Sequence, residues 1–171
     1  NTHVRIYKDG ERLPAGEVGE IYLETDQFML GYLGEDHAPF AEIDGRKWLK
    51  TGDYGWLNED GFLFFKQRIK NMLKVSGVPV YPSEIEDAVL SVKGVKKACA
   101  VGMDDPVRGQ VVKLYVEPDA GAEESALSAE IERVCREKLI AYAVPKKIVF
   151  RGRLPVNLIG KIDRKQLEEE R

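Results

Sequence analysis

From residue 1 to about 67, apolar and polar positions alternate in short runs, the period of half-buried strands. Val4 to Tyr7 form one such run, ending at the turn signal Asp9-Gly10. Gly19-Glu20-Ile21-Tyr22-Leu23 predicts another strand. Trp56-Leu57 and Phe62-Leu63-Phe64-Phe65 flank Asn58-Glu59-Asp60-Gly61, which predicts a hairpin closed by a glycine at positive φ. A looser, aromatic-dotted stretch runs from Phe28 to Ile43.

From residue 68 onward the pattern mixes two periods. Pro82 suits the first turn of a helix, and Ser83 with Glu86 has the spacing of a capping box. Ile85, Ala88, Val89 and Val92 then share one helical face, and Gly94 is the expected stop. Val95 to Val101 and Val111 to Val116 read as strands joined by a Gly/Asp/Pro loop. Ser125 is expected to open a second amphipathic helix, with Leu127, Ile131, Val134, Cys135 and Leu139 on one face. Lys147 to Phe150 predicts a short strand. Leu154-Pro155 is expected to begin an irregular loop ending at Gly160, with a short helix from Asp163. The fold class is α+β: a β-rich subdomain, then a small mixed α/β domain, with the boundary near the basic stretch Arg68 to Asn71.

Composition narrows the function. The chain has 171 residues, 43% hydrophobic and 32% charged, with a formal net charge of −3. That is a globular composition, large enough for one sizeable domain or two small ones. No apolar run approaches the ~20 residues of a membrane-spanning helix. The opening residues do not read as a secretory leader, and a start at Asn1 rather than Met is what a piece of a longer polypeptide would show. Cys99 and Cys135 are too few for a disulfide scaffold and read as reduced core residues of a cytoplasmic protein. His3 and His37 are isolated, so no His-rich metal site is expected. Charge is uneven: Lys146, Lys147, Arg151, Arg153, Lys161, Arg164 and Lys165 face one acid, Asp163, while Lys66, Arg68, Lys70 and Lys74 have none among them. Such local potential suits an anionic ligand. An acidic whole without an aromatic-basic stacking module argues against nucleic acid.

Three segments carry chemistry. In Lys50-Thr51-Gly52-Asp53-Tyr54-Gly55, a carboxylate in a Gly-flanked turn is placed to accept hydrogen bonds from two ribose hydroxyls. The run from Arg68 to Glu86 joins a basic linker, a Gly-containing hairpin and a Pro-started helix. Leu154-Pro155-Val156-Asn157-Leu158-Ile159-Gly160-Lys161-Ile162-Asp163-Arg164 sets a lysine after a glycine on a loop, a mobile point charge suited to an anion. Taken singly, each also reads as an ordinary turn, hairpin or surface lysine.

In this order and at these separations, the segments resemble the C-terminal part of an adenylate-forming (AMP-binding) enzyme, the superfamily of acyl-CoA synthetases, peptide-synthetase adenylation domains and luciferases. Gly16-Glu17-Val18-Gly19-Glu20-Ile21, Gly31-Tyr32, Trp48 to Asp53 and Asn58 to Phe62 extend the likeness over almost the whole chain. The resemblance implies that residues 1–67 are the tail of a large N-terminal domain, 68–71 a hinge and 72–171 a mobile C-terminal domain. It implies an AMP-forming acid–CoA ligase in which ATP with Mg²⁺ and CoA meet a carboxylic acid. Asp53 and Arg68 would bind nucleotide, Lys70 would be the hinge, and Gly77 with Ser76 would border CoA. Lys74 would serve the thioester step and Lys161 would bridge substrate carboxylate and α-phosphate. The family's Gly-rich phosphate loop and acyl pocket lie upstream, so this chain is expected to be inactive alone. Gln67, Asn71, Pro79 and Asn157-Leu158-Ile159 depart from the common family pattern. Two alternatives stand beside the ligase: an adenylation domain loading an amino or aryl acid onto a carrier protein, and a non-catalytic domain derived from the family. Joint retention of Asp53, Arg68 and Lys161 argues against the latter.

Overall fold

The computed structural model describes residues 2–31 and 39–170. Tyr32 and His37 lie outside them. The chain forms two compact units, Asn1–Lys70 and Asn71–Arg171.

The first unit is an antiparallel sheet. Its strands are β1 (Thr2–Lys8), β2 (Glu11–Arg12), β3 (Gly19–Thr25), β4 (Phe40–Ile43), β5 (Arg46–Leu57) and β6 (Leu63–Arg68). They run in the order β2-β1-β3-β5-β4, with β6 paired to the far half of the long β5. The Phe28–Ile43 stretch is therefore not wholly loose, since β4 pairs with β5 from Phe40↔Leu49 to Ile43↔Arg46. Period-2 patterning sends Tyr7, Tyr22 and Trp48 to one buried cluster. Ile6 and Ile21, paired directly, are buried through the alternate positions. The 58–61 hairpin forms as its sequence indicates: Asn58 N–H donates to the Phe62 carbonyl at 3.0 Å, and Asn58 Oδ1 accepts from Phe62 N–H at 2.8 Å.

The second unit is built on a three-stranded sheet of β9 (Val95–Asp105), β10 (Gly109–Pro118) and β11 (Lys147–Phe150), in the order β11-β10-β9. β9 and β10 are an antiparallel hairpin, and β11 returns parallel to β10. Before it come β7 (Leu73–Val75), β8 (Val78–Val80) and helix α1 (Pro82–Leu90); α2 (Glu124–Lys138) lies between β10 and β11, and α3 (Arg164–Glu169) ends the unit. Alternate residues of β9 and β10 point to opposite layers. Ala98, Ala100, Val112, Leu114 and Val116 join the apolar faces of α1 and α2 in the main core. Cys99, Val101 and Tyr115 meet Leu154 and Leu167 in a second, smaller core. The two cysteines, both buried and unpaired, thus lie in different layers.

Helix ends differ from the local reading. Pro82 occupies the first turn of α1, so its N-cap is Tyr81 and the proposed capping box does not form. Glu86 is spent elsewhere, as described below. The helix stops at Leu90, before Gly94; Ser91 caps it, its hydroxyl donating to the Ala88 carbonyl at 2.6 Å. α2 is capped by Glu123, whose carboxylate accepts from Ser125 and Ala126 N–H, and not by Ser125.

Candidate nucleotide and acyl-transfer site residues

Asp53 does not sit in a turn. It lies inside β5, opposite Arg68 of β6. Between the pairs Glu20↔Tyr54 and Tyr22↔Lys50, β5 holds Thr51, Gly52 and Asp53 against Ile21 alone, which makes a bulge. Side chains replace the lost ladder bonds. Thr51 Oγ1 donates to the Ile21 carbonyl at 2.8 Å and accepts from Asp53 N–H at 3.1 Å, and Glu20 Oε1 accepts from Gly52 N–H at 3.3 Å. The bulge re-aims Asp53 toward Arg68, whose Nε stands 2.8 Å from Oδ1. The pair is close enough for charge attraction but not aligned for a hydrogen bond. Asp53 Oδ1, buried, accepts none from the described residues. A carboxylate with open acceptor positions beside a guanidinium is chemically suited to a polyhydroxylated, anionic ligand.

Lys70 lies in a short 3-10 turn, Ile69–Asn71, directly after β6. Three residues before it, and outside that turn, Gln67 is buried, and neither its Oε1 nor its Nε2 finds a partner among the described residues.

In the second unit, β7 and β8 form a two-residue hairpin, Val75↔Val78, whose turn residues are Ser76 (φ 52°) and Gly77 (φ 80°). Two successive positive φ values make the tight turn that matches strand twist. Gly77 is needed for its backbone, since a Cβ there would meet nothing within 4 Å in this chain. The hairpin is braced by the neighbouring one: Ser76 N–H donates to the Arg108 carbonyl at 3.1 Å and Lys74 N–H to Gln110 Oε1 at 3.2 Å. Lys74 itself points to solvent.

The Lys161 segment is a built turn, not an irregular loop, and it continues past Gly160. Val156 bridges Ile162, Asn157 N–H donates to the Lys161 carbonyl at 2.8 Å, and Gly160 N–H to the Asn157 carbonyl at 2.9 Å. Asn157 Oδ1 accepts from both Ile159 N–H (3.1 Å) and Lys161 N–H (3.0 Å). Gly160 takes φ 79°, closing the turn without a Cβ clash. Lys161 is left exposed beside Leu158 and Ile159, with no ion-pair partner among the described residues. Sequence reading took Asn157 for a mere substitution; an Asn just ahead of a Gly-Lys pair is the signal of a side chain that organises the turn.

Two carboxylates hold this segment, Glu117, which sequence reading did not single out, and Glu86, which it read only as part of a capping box. Glu117, 2% exposed, accepts from Leu154 N–H at 2.9 Å and pairs with Lys96 at 3.0 Å. Its carboxyl is held below the usual range, chiefly by the Leu154 N–H, against the opposing effect of burial. Glu86 meets Arg164 on the other side. Cys99, beside that pair, has its thiol pushed up to about 12 by burial and is inert at neutral pH.

Residues 84–161 match the family model described as AMP-binding enzyme C-terminal domain. In this part the chain belongs to the AMP-binding enzyme C-terminal domain family. It is 41% identical over 172 residues to a long-chain-fatty-acid–CoA ligase of Salmonella typhimurium, covering 99% of this chain and 30% of the ligase. Among solved structures it is similar to o-succinylbenzoate CoA synthetase from Bacillus subtilis in complex with its acyl-adenylate intermediate, with 31% identity, TM-score 0.84, and coverage of 99% of this chain and 34% of the synthetase. It is likewise similar to an amide bond synthetase from Marinactinospora thermotolerans, at 30% identity and TM-score 0.85, covering 98% of this chain and 34% of that protein. The chain thus spans about a third of the length of such relatives, as the family's C-terminal part.

Proposed function

We propose that this chain is the C-terminal part of an ATP-dependent, AMP-forming acid–CoA ligase, with a fatty acid as its acid. The names of its relatives support the reaction class, and the observation that carries this chain's share is Lys161, an exposed ammonium with no ion-pair partner among the described residues, fixed on a tied turn. In the first half-reaction a carboxylate oxygen attacks the α-phosphorus of ATP and pyrophosphate leaves. Two anions are brought together as charge builds at phosphorus. The Lys161 ammonium between them offsets the repulsion and stabilises the transition state. Asp53 accepts the ribose hydroxyls and Arg68 adds positive charge near the nucleotide.

In the second half-reaction the CoA thiol attacks the acyl carbonyl and AMP leaves. The Ser76-Gly77 turn borders the thiol's approach and Lys74 serves this step. Residues 72–171 move against residues 1–67 about a hinge at 68–71, with Lys70 absorbing the dihedral change. The phosphate loop, the acyl pocket and the magnesium that accompanies ATP belong to the rest of the enzyme, so this chain alone is inactive. Among the described residues no group of three or more His, Cys, Asp or Glu side chains stands where it could hold a metal ion, and no step is assigned to one here. Among the described residues no helix is long and apolar enough to cross a membrane, and the unpaired, buried cysteines support a cytoplasmic setting.

The test uses the complete enzyme. Lys161→Ala should lower acid-dependent pyrophosphate–ATP exchange by on the order of 10²-fold or more, while thioester formation from preformed acyl-AMP and CoA stays near normal. Lys161→Arg should restore little, because a planar fork does not replace a compact ammonium. Equal slowing of both half-reactions defeats the assignment. Acyl transfer to a carrier protein, with CoA ignored, would favour the adenylation-domain alternative.

A further inference from the structure

The turn that presents Lys161 is tied at its C-terminal base by a clamp to which the roles above give no task. β9 is an edge strand of its sheet, and an edge leaves backbone N–H and C=O groups without ladder partners. At Ala100 both groups are taken by side chains. Its N–H donates to Glu86 Oε1 at 2.9 Å, and its carbonyl accepts from Arg164 Nη1. Arg164 Nη2 donates to the same Glu86 Oε1 at 2.6 Å. Carboxylate and guanidinium thus stand in for a neighbouring strand and pair with each other, joining α1, β9 and the segment that leaves Lys161. Both side chains are largely buried, Arg164 23% and Glu86 19% exposed. Burial is the largest single effect and disfavours the charge of Arg164, but Glu86, together with Cys99 and Glu168, outweighs it and the guanidinium pKa is raised. Arg164 follows Lys161 by three residues, a reach of at most about 11 Å. Ile162, between them, is bridged to Val156 and packs on the second core.

We infer that Arg164 and Glu86 are positioning residues for adenylation, fixing the base of the Lys161 turn to the sheet edge so that the ammonium meets the reacting anions in one geometry. This rests on the role proposed for Lys161. A misplacement of about 1 Å, even from a change remote from the chemistry, is enough to cost on the order of 10²-fold in rate.

The test uses the complete enzyme carrying Arg164→Met, Arg164→Lys or Glu86→Gln, with Arg164→Met also combined with Lys161→Ala. Both half-reactions are measured on each preparation. Arg164→Met should lower pyrophosphate exchange by about 10- to 10²-fold and leave thioester formation from preformed acyl-AMP within about twofold. Arg164→Lys should recover part of the loss, since an ammonium reaches Glu86 but does not fork onto the Ala100 carbonyl as well. In the Lys161→Ala background, Arg164→Met should reduce exchange no further, because its effect passes through the absent lysine. A merely structural pair predicts parallel losses in both half-reactions and a loss that multiplies with Lys161→Ala; either result overturns the inference. Should Arg164→Met fail to fold, Glu86→Gln makes the same comparison while keeping an acceptor for Ala100 N–H. If Lys161→Ala leaves exchange intact, the reading of Lys161 falls and the clamp's role with it. If Lys161→Ala abolishes exchange while none of the clamp variants alters it, the clamp inference alone is wrong.

Discussion

Glu117 offers a stability test whose size follows from its surroundings. Its carboxylate is almost fully buried and accepts the N–H of Leu154, itself 1% exposed, where the chain turns toward the Lys161 segment. Glu117→Leu leaves that N–H buried without a partner, which costs about 1–3 kcal/mol. The ion pairs with Lys96 (3.0 Å) and Lys97 (3.8 Å) involve lysines 58% and 37% exposed, and their loss adds at most ~1 kcal/mol. A total of about 2–3 kcal/mol is expected. Glu117→Gln keeps an oxygen for Leu154 but loses the charge that strengthens the bond, for about 1 kcal/mol. Because the folded carboxyl is held below its ordinary value, its contribution is complete above the unfolded pKa of about 4.3 and is lost as pH falls through the lower folded value. Urea unfolding of wild type and both variants from about pH 8 down to about pH 3 should show a constant wild-type–Gln gap near neutrality that closes in acid. A Leu variant within about 0.5 kcal/mol of wild type, or a gap that widens in acid, would refute the reasoning.

Gly55→Ala should be strongly destabilising, by about 2 kcal/mol or more on thermal or urea unfolding, because its Cβ would stand 2.3 Å from the Phe64 carbonyl oxygen and 2.9 Å from Ile21 Cδ1. Backbone cannot swing aside as a flexible side chain would. Gln67→Met should be neutral or stabilise this chain by about 1–2 kcal/mol, since it removes two buried amide atoms without partners among the described residues; a clear loss of stability would mean that the amide is satisfied after all. In the complete enzyme, Lys70→Pro should slow thioester formation more than pyrophosphate exchange, because proline fixes φ near −65° and resists a hinge rotation; equal losses would show that the hinge lies elsewhere.

Local order was legible in the residues themselves. Period-2 runs marked the strands of the first unit, Asn58 to Gly61 marked its hairpin, and the 3.6-residue spacing of Ile85, Ala88 and Val89 marked a helix face that is buried as read. These patterns are short-range consequences of backbone geometry, so neighbours in sequence are enough to reveal them. The α+β class followed from where the period changes. Tertiary structure alone decided what each polar side chain does. Glu86 has the spacing of a capping box, yet its partners are Arg164, 78 residues away, and Ala100, on an edge strand that its helix does not announce. Glu117 ends an apolar run and finds Leu154 37 residues on. Asp53 leaves its expected turn because β5 runs on through it and absorbs the extra residues as a bulge against β3. A carboxylate's partner is fixed by which strand edge or chain turn arrives beside it, and no periodicity along the chain encodes that arrival.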